Sequence, residues 1–373
     1  MRNYNQTVYL KYNSLRIISW GLGIFGVLGN IFVILSLLLS SRQRKGLQLR
    51  RNKRFNTLSI RNSPALLVLL HLALADLGSS IYFSIMNSGD LISLLRANYV
   101  SNGTLNSSKA INRNLYLSPH LGNITALEDT WIINHLCSAA RFFSQIGLGC
   151  ANMFTLFITI RRYLAIYHPI HGQKFNMNAT KLFICFGWLV SLILSLTITI
   201  GSDFMMKWIL QQTNFIFQYN IIVHLCQPVT VGFILYLSAF EVFMNTASCI
   251  ASIILYIKIS CRLRKSLRRH TSELVYKTQH RINVMLACIV LTNAVVYLPI
   301  TFLLVCALFQ TFNFESLSLY WPIATLLSYS NCVIDPFIFI FLRITNISQR
   351  SLRNLQKIRP VSNRPQVLAN NVT

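Results

Sequence analysis

The sequence predicts an all-α integral membrane protein: a bundle of seven transmembrane helices with its N-terminus outside. Three observations carry this. The chain is 53% hydrophobic and 12% charged, where a soluble domain carries about 25% charged residues. Its apolar residues gather into seven long runs, and lipid, which offers backbone groups no hydrogen-bond partner, admits such runs only as helices. Its lysines and arginines, which give a formal net charge of +25, fall in the short segments between runs. That placement fits membrane topology better than nucleic-acid binding, so no nucleic-acid partner is expected and the lipid bilayer is.

The runs cover about 17–39, 64–87, 138–160, 182–201, 229–257, 282–309 and 319–342. At 1.5 Å per residue each can cross roughly 30 Å of hydrocarbon. The segment after span one carries Arg42, Arg44, Lys45, Arg50, Arg51, Lys53, Arg54 and Arg61. The segment after span five carries Arg262, Arg264, Lys265, Arg268, Arg269, Lys277 and Arg281, and the tail is basic as well. All of these fall on one side, which the positive-inside rule makes cytoplasmic. The expected organisation is an extracellular N-terminus over 1–16, a seven-span domain over 17–342 and a basic cytoplasmic tail over 343–373. Two connections are long for helix joints: an inner one over about 40–63 and an outer, Asn- and Ser-rich one over about 88–136, read as a glycosylated, partly disordered insertion. The first residues, MRNYNQTVYLKYN, are polar and do not read as a cleavable leader, so span one is expected to direct insertion.

Sequons at Asn5, Asn102, Asn106 and Asn123 fall on the outer side and are candidate glycosylation sites, although others occur on the inner side at Asn178, Asn346 and Asn371. Of nine cysteines, most lie within spans as small buried thiols, whereas Cys137 and Cys226 lie at outer membrane ends. No Cys/His spacing suits a transition metal, and no constellation suits covalent catalysis, so an enzyme is not expected.

Polar residues inside spans are costly and are functional candidates. Span one holds Gly29-Asn30 and span two Leu72-Ala73-Leu74-Ala75-Asp76. Span three ends in Arg161-Arg162-Tyr163-Leu164-Ala165-Ile166-Tyr167-His168-Pro169. Span four holds Trp188, span six Tyr297-Leu298-Pro299, and span seven Asn331-Cys332-Val333-Ile334-Asp335-Pro336-Phe337-Ile338-Phe339. Each alone has a bland reading: Arg161 and Arg162 as interfacial anchors, Asp76 as a satisfied structural carboxylate, Trp188 and Phe339 as packing. Their order, one per span, resembles the rhodopsin-like family of G-protein-coupled receptors, as does the 25-residue step from Cys137 to Arg162.

That resemblance implies a receptor that passes the binding of an extracellular ligand to a heterotrimeric G protein. It implies an outer disulfide between Cys137 and Cys226, and G-protein coupling through Arg161, Arg162, Tyr163, Asp335, Pro336 and Phe339. It also implies a polar core of Asn30, Asp76, Asn331 and Asp335 that can hold a sodium ion at Asp76, and a short amphipathic helix from Phe341-Leu342-Arg343 onward. Carried over by position, the ligand pocket comprises Arg141, Ser144, Gln145, Tyr297, Thr301, Trp321, Thr325 and Tyr329.

The sequence departs from the family pattern in several places. Arg161 stands where the acid before the signalling arginine is usual, and Gln279 where span six often carries another. Asp335 and Phe339 replace the Asn and Tyr of NPxxY, Tyr297 replaces the tryptophan of CWxP, and Ser248 stands near the missing central proline of span five. Ser144 replaces the aspartate that pairs with amine ligands, and span seven has no lysine for a retinal Schiff base. A peptide ligand, such as a neuropeptide or peptide hormone, is therefore the leading expectation. A channel or transporter is the alternative, but the acids inside spans are few and no inverted repeat is visible. A degenerate receptor that binds without signalling is the other.

Overall fold

The computed structural model describes residues 13–48, 64–105, 135–167, 177–211, 226, 232–267, 273–308 and 320–341. They form α1 (Asn13–Gln48), α2 (Pro64–Leu105), α3 (His135–Tyr167), α4 (Met177–Gln211), α5 (Gly232–Leu267) and α6 (Glu273–Leu308). The last helix, α7, comprises Tyr320–Ser328 and 331–341 joined by a turn at 329–330. All seven contain a stretch long and apolar enough to cross a membrane, from Ser14–Leu39 in α1 to Pro322–Phe341 in α7.

The distribution of side chains is inverted relative to a soluble protein. Large apolar residues such as Phe25, Leu28 and Phe32 on α1, Leu182, Phe186 and Leu189 on α4, and Phe233, Phe243 and Ile254 on α5 are exposed on the outside. Asn30, Asp76, Asn87, Asn152, Glu241, Asn293 and Asp335 are buried. In water such a surface would aggregate; in lipid it is the solvated face, and the polar groups must find partners within the bundle. Helix α3 is the central element, touching α2, α4, α5 and α6. Val68, Leu72 and Ala75 of α2 pack with Ile146, Cys150, Phe154 and Phe157 of α3 and Ile184 of α4. Nearer the other end, Tyr82, Phe83 and Met86 meet Ala324, Leu326 and Tyr329 of α7.

Small residues set the closest approaches. A Cβ on Gly147 of α3 would stand 2.7 Å from the Ser79 nitrogen and 2.9 Å from the Ala75 carbonyl oxygen of α2. On α1, a Cβ at Gly29 would stand 3.1 Å from the Pro336 ring of α7.

Several helices outrun their apolar stretches. Helix α1 continues through Arg42, Arg44 and Lys45 to Gln48, into the expected inner connection, because Arg, Gln, Lys and Leu are good helix formers. Helix α2 runs 42 residues, far past the membrane-length segment Pro64–Gly89. The expected outer insertion is therefore helical as far as Leu105; no proline interrupts it, and Leu91, Leu94 and Leu95 keep a helical spacing. The N-terminal segment before Asn13, the sequons Asn5, Asn106 and Asn123, and the tail with its expected amphipathic helix lie outside the described residues. Asn102 falls in the last turn of α2.

Candidate functional site

The polar centre is built where α7 departs from regular helix. Ser328 and Ser330 donate their hydroxyls to the carbonyls of Thr325 and Leu327 at 2.9 and 2.7 Å. These bonds compete with the backbone ladder, and the chain tightens: Ser330 N bonds Leu327 O, Cys332 N bonds Tyr329 O, and Val333 N bonds Ser330 O, at 3.0 to 3.2 Å. One turn on, Pro336 has no N–H to offer the carbonyl four residues back, at Cys332. Asn30 of α1 supplies that donor: its Nδ2 reaches the Cys332 oxygen at 2.7 Å and its own Gly26 oxygen at 2.9 Å. One amide thus closes α1 onto α7 at the carbonyl that Pro336 leaves open.

Asn331 points toward α6 and donates its amide to Asn293 Oδ1. Asn293 Nδ2 lies 3.4 Å from Thr155 Oγ1 of α3, so a chain of side chains joins α7, α6 and α3. Asp76 of α2 and Asp335 of α7 are both buried within the bundle. Asp335 Oδ1 and Asn331 Oδ1 are buried oxygens without a hydrogen-bond partner. Asn293 has no counterpart in the sequence expectations; a lone asparagine two turns before Pro299 inside an apolar run was the available signal.

At the end of the bundle where α3 begins, Cys137 and Cys226 form a disulfide, with 5.3 Å between their α-carbons. Beside it, Arg141 is 1% exposed and its Nη1 meets Asp203 Oδ1 of α4 at 2.7 Å. Ser138 Oγ donates to the other oxygen of the same carboxylate at 2.7 Å. Arg141 is therefore engaged by an acid that the sequence reading did not connect to it. Gln145, one turn deeper on the same face of α3, approaches Glu241 of α5. Two acceptors cannot face each other, so the Gln145 amide nitrogen is the atom toward the carboxylate, donating at 2.6 and 3.0 Å.

The other expected pocket residues are dispersed. Ser144 Oγ bonds back to the Arg141 carbonyl at 2.7 Å. Tyr297 is buried, with Thr301 bonded to its carbonyl at 2.9 Å and facing Thr246 of α5 at 3.0 Å. Tyr329 packs on Tyr82 and Phe83, ring centres 5.0 and 5.9 Å away. Thr325 is buried with its hydroxyl unpartnered. The side chains of Trp321 and Gln279 lie outside the described residues.

At the opposite end of α3, Arg161 and Arg162 are half-buried, and Arg161 Nε has no hydrogen-bond partner. Tyr163 and Tyr167 stack at 4.6 Å. Tyr167 also reaches α5: its hydroxyl donates to the Lys258 carbonyl at 2.9 Å, and Arg262 lies over its ring at 5.6 Å. Phe339 packs with Val33, Leu37 and Ala73 of α1 and α2. Trp188 donates its indole N–H to His71 Nδ1 at 3.2 Å, tying α4 to α2.

The family described as 7 transmembrane receptor (rhodopsin family) matches residues 117–339, from before α3 to near the end of α7. A search of curated proteins finds no match. Proteins of that family are receptors rather than enzymes, embedded as multi-pass chains in the plasma membrane. The matched segment takes in most of the chain, and the seven spans complete it: the chain belongs to the rhodopsin family of seven-transmembrane receptors.

Proposed function

We propose that this receptor binds an extracellular peptide among the outer ends of α3, α5, α6 and α7 and passes that event to a heterotrimeric G protein at its basic, cytoplasmic end. The observation that carries the reading is the side-chain chain Asn331–Asn293–Thr155, which runs from α7 through α6 to α3 two turns before Arg162. A ligand that favours one arrangement of α6 and α7 must rearrange that chain, and the shift is felt at the helix that carries Arg162. Pro299 inside α6 supports the same reading, since a helix that lacks one backbone bond bends there at low cost. The orientation rests on the concentration of lysine and arginine at the Arg162 end and on the disulfide at the other, which needs an oxidising compartment. Glycosylation at Asn5, Asn102, Asn106 and Asn123 belongs to the same outer side.

The polar centre suits a sodium ion. Asp76 and Asp335 offer carboxylates, and the unpartnered oxygens of Asp335 and Asn331 are acceptors in want of a cation. Two nearby buried carboxylates cannot both ionise cheaply, so either a cation bridges them or one holds a proton. A sodium ion held by Asp76 and Asp335 would offset one of the two charges and tie α2 to α7, which Asn30 keeps in place.

Reconstituted protein in lipid nanodiscs should accelerate nucleotide exchange on purified G proteins, and a peptide library should contain activators. A purified protein that passes ions or solutes and never accelerates exchange on any G-protein class would overturn the reading.

A further inference from the structure

A polar seam descends from the outer rim between α3, α4 and α5. Its mouth is the Ser138–Asp203–Arg141 group, where acid and base satisfy each other. One turn deeper lies Glu241, about 13 Å along α5 from Gly232 by helical rise. The carboxylate is 6% exposed. Its partner is the Gln145 amide, a neutral group, and among the described residues no lysine, arginine or histidine pairs with it. Ser238 and Asn245 flank it at helical spacing on α5; both are buried, and Ser238 Oγ and Asn245 Nδ2 have no hydrogen-bond partner. On α4, Ser191 and Ser195 bond within their own helix or neighbours, whereas Thr199 Oγ1 is again buried and unpartnered. A Cβ on Gly149 would stand 3.1 Å from Ser191 Oγ and 3.8 Å from Glu241 Oε1, so the floor beneath the carboxylate is closed.

A buried carboxylate is stable when a cation and several hydrogen bonds complete its surroundings; a single amide does neither. A helix staple between α3 and α5 would need only the neutral pair Gln–Gln, and would not need two further unpartnered polar atoms, Ser238 Oγ and Asn245 Nδ2, at helical spacing from it on α5. We infer that Glu241 anchors a cationic nitrogen, an ammonium or guanidinium, of the molecule this receptor binds, with Gln145, Ser238 and Asn245 as its polar surround. This rests on the reading that the outer bundle takes a ligand, and deepens it. The charge that Ser144 does not supply from α3 is supplied from α5. In a peptide the cation is a lysine or arginine side chain or the N-terminus; a small amine offers the same chemistry.

The test uses the full chain in lipid nanodiscs, without G protein, so that its outcome is independent of coupling. Arylalkyl guanidines and amines are compared with their neutral urea and amide isosteres by thermal stabilisation. The cations should stabilise the natural protein and the isosteres should not. Glu241→Gln keeps the bond to Gln145 and the volume, and should weaken cation binding by roughly ten- to hundredfold. Glu241→Asp should retain the preference for cations. In the natural protein, the same cations should protect Glu241 from labelling by a hydrophobic carbodiimide, read by peptide mass. Cations that act no better than their isosteres, an effect that survives Glu241→Gln, or labelling of Glu241 that cations leave unchanged would each overturn the inference. Probe libraries of free amines and of lysine- or arginine-containing peptides then separate the two sources.

Discussion

Replacing Gly147 by alanine tests whether the crossing of α2 and α3 is as close as the backbone places it. The added Cβ would lie 2.7 Å from Ser79 N and 2.9 Å from Ala75 O, both main-chain atoms of a neighbouring helix that no rotamer can move. Ordinary contact would require the helices to part by about 0.5–0.7 Å, and a gap of that size forfeits a quarter to a half of each dispersion contact it opens. The contacts at stake are those of Val68, Leu72 and Ala75 with Ile146, Cys150 and Ala151. At 0.1–0.2 kcal/mol per atom pair over a few tens of pairs, the loss is about 1–3 kcal/mol, the usual cost of an overpacked core. Alanine's better helix propensity returns up to about 1 kcal/mol. Gly21→Ala is the control, because nothing lies within 4 Å of its Cβ and only the propensity gain applies. Thermal unfolding in nanodiscs can be followed with a thiol-reactive dye in a background with the exposed Cys185, Cys261 and Cys288 replaced by serine, since Cys150 is buried in this interface. Gly147→Ala should unfold at clearly lower temperature than Gly21→Ala, and Ser79→Ala should not rescue it. Equal stability of the two glycine variants would refute the close crossing.

Exchanging Arg161 for aspartate replaces repulsion of Arg162 by attraction, a change on the order of a few kcal/mol before salt screening; ligand-free signalling at equal surface level should fall, and an unchanged or raised level would count against restraint by this pair. Arg162→Ala should abolish nucleotide exchange while leaving ligand binding in place, as measured by radioligand or thermal shift. Serine at Cys137 or Cys226 should lower surface expression or ligand binding, and peptide mapping without reductant should recover the pair as one linked species. Sodium should lower agonist affinity in the natural protein and not in Asp76→Asn; identical sodium curves would remove the cation from the polar centre. Asn30→Leu leaves the Cys332 carbonyl without its side-chain donor and should cost about 0.5–2 kcal/mol in nanodisc stability, the range for such bonds within a bilayer.

The seven spans were legible because hydrophobic run length and lysine and arginine placement are properties of the chain itself. The pair Cys137 and Cys226 was legible through the resemblance to the receptor family, which implies a bond between cysteines standing at these span ends. Pairings between spans were not. Arg141 reads from sequence as a pocket residue, and only the rotation of α4 brings Asp203 to it, at the end of a helix that outruns its apolar run. Glu241 was visible as an acid within a span, but its distance from Gln145 depends on the separation of α3 and α5, which no local pattern encodes. The extension of α2 to Leu105 was missed because polar residues that favour water do not oppose helix. With only nine acids in the chain, tracing the partner of each would have been the productive question.

The bond from Asn30 to Cys332 joins residues 302 positions apart. During synthesis the first span is in the bilayer long before the last emerges, so through most of that interval the asparagine amide has only the Gly26 carbonyl of its own helix to hold. The carbonyl in turn is bare from the moment its helix enters lipid, since Pro336 withholds the local donor. That carbonyl gains its donor only in a molecule whose final span has arrived and seated. The contact thereby acts as a clasp that distinguishes finished chains from incomplete ones. A receptor whose α7 inserts in the wrong rotation would leave the Cys332 carbonyl bare within the bundle, and one truncated before α7 would leave Asn30 bonded only within its own helix.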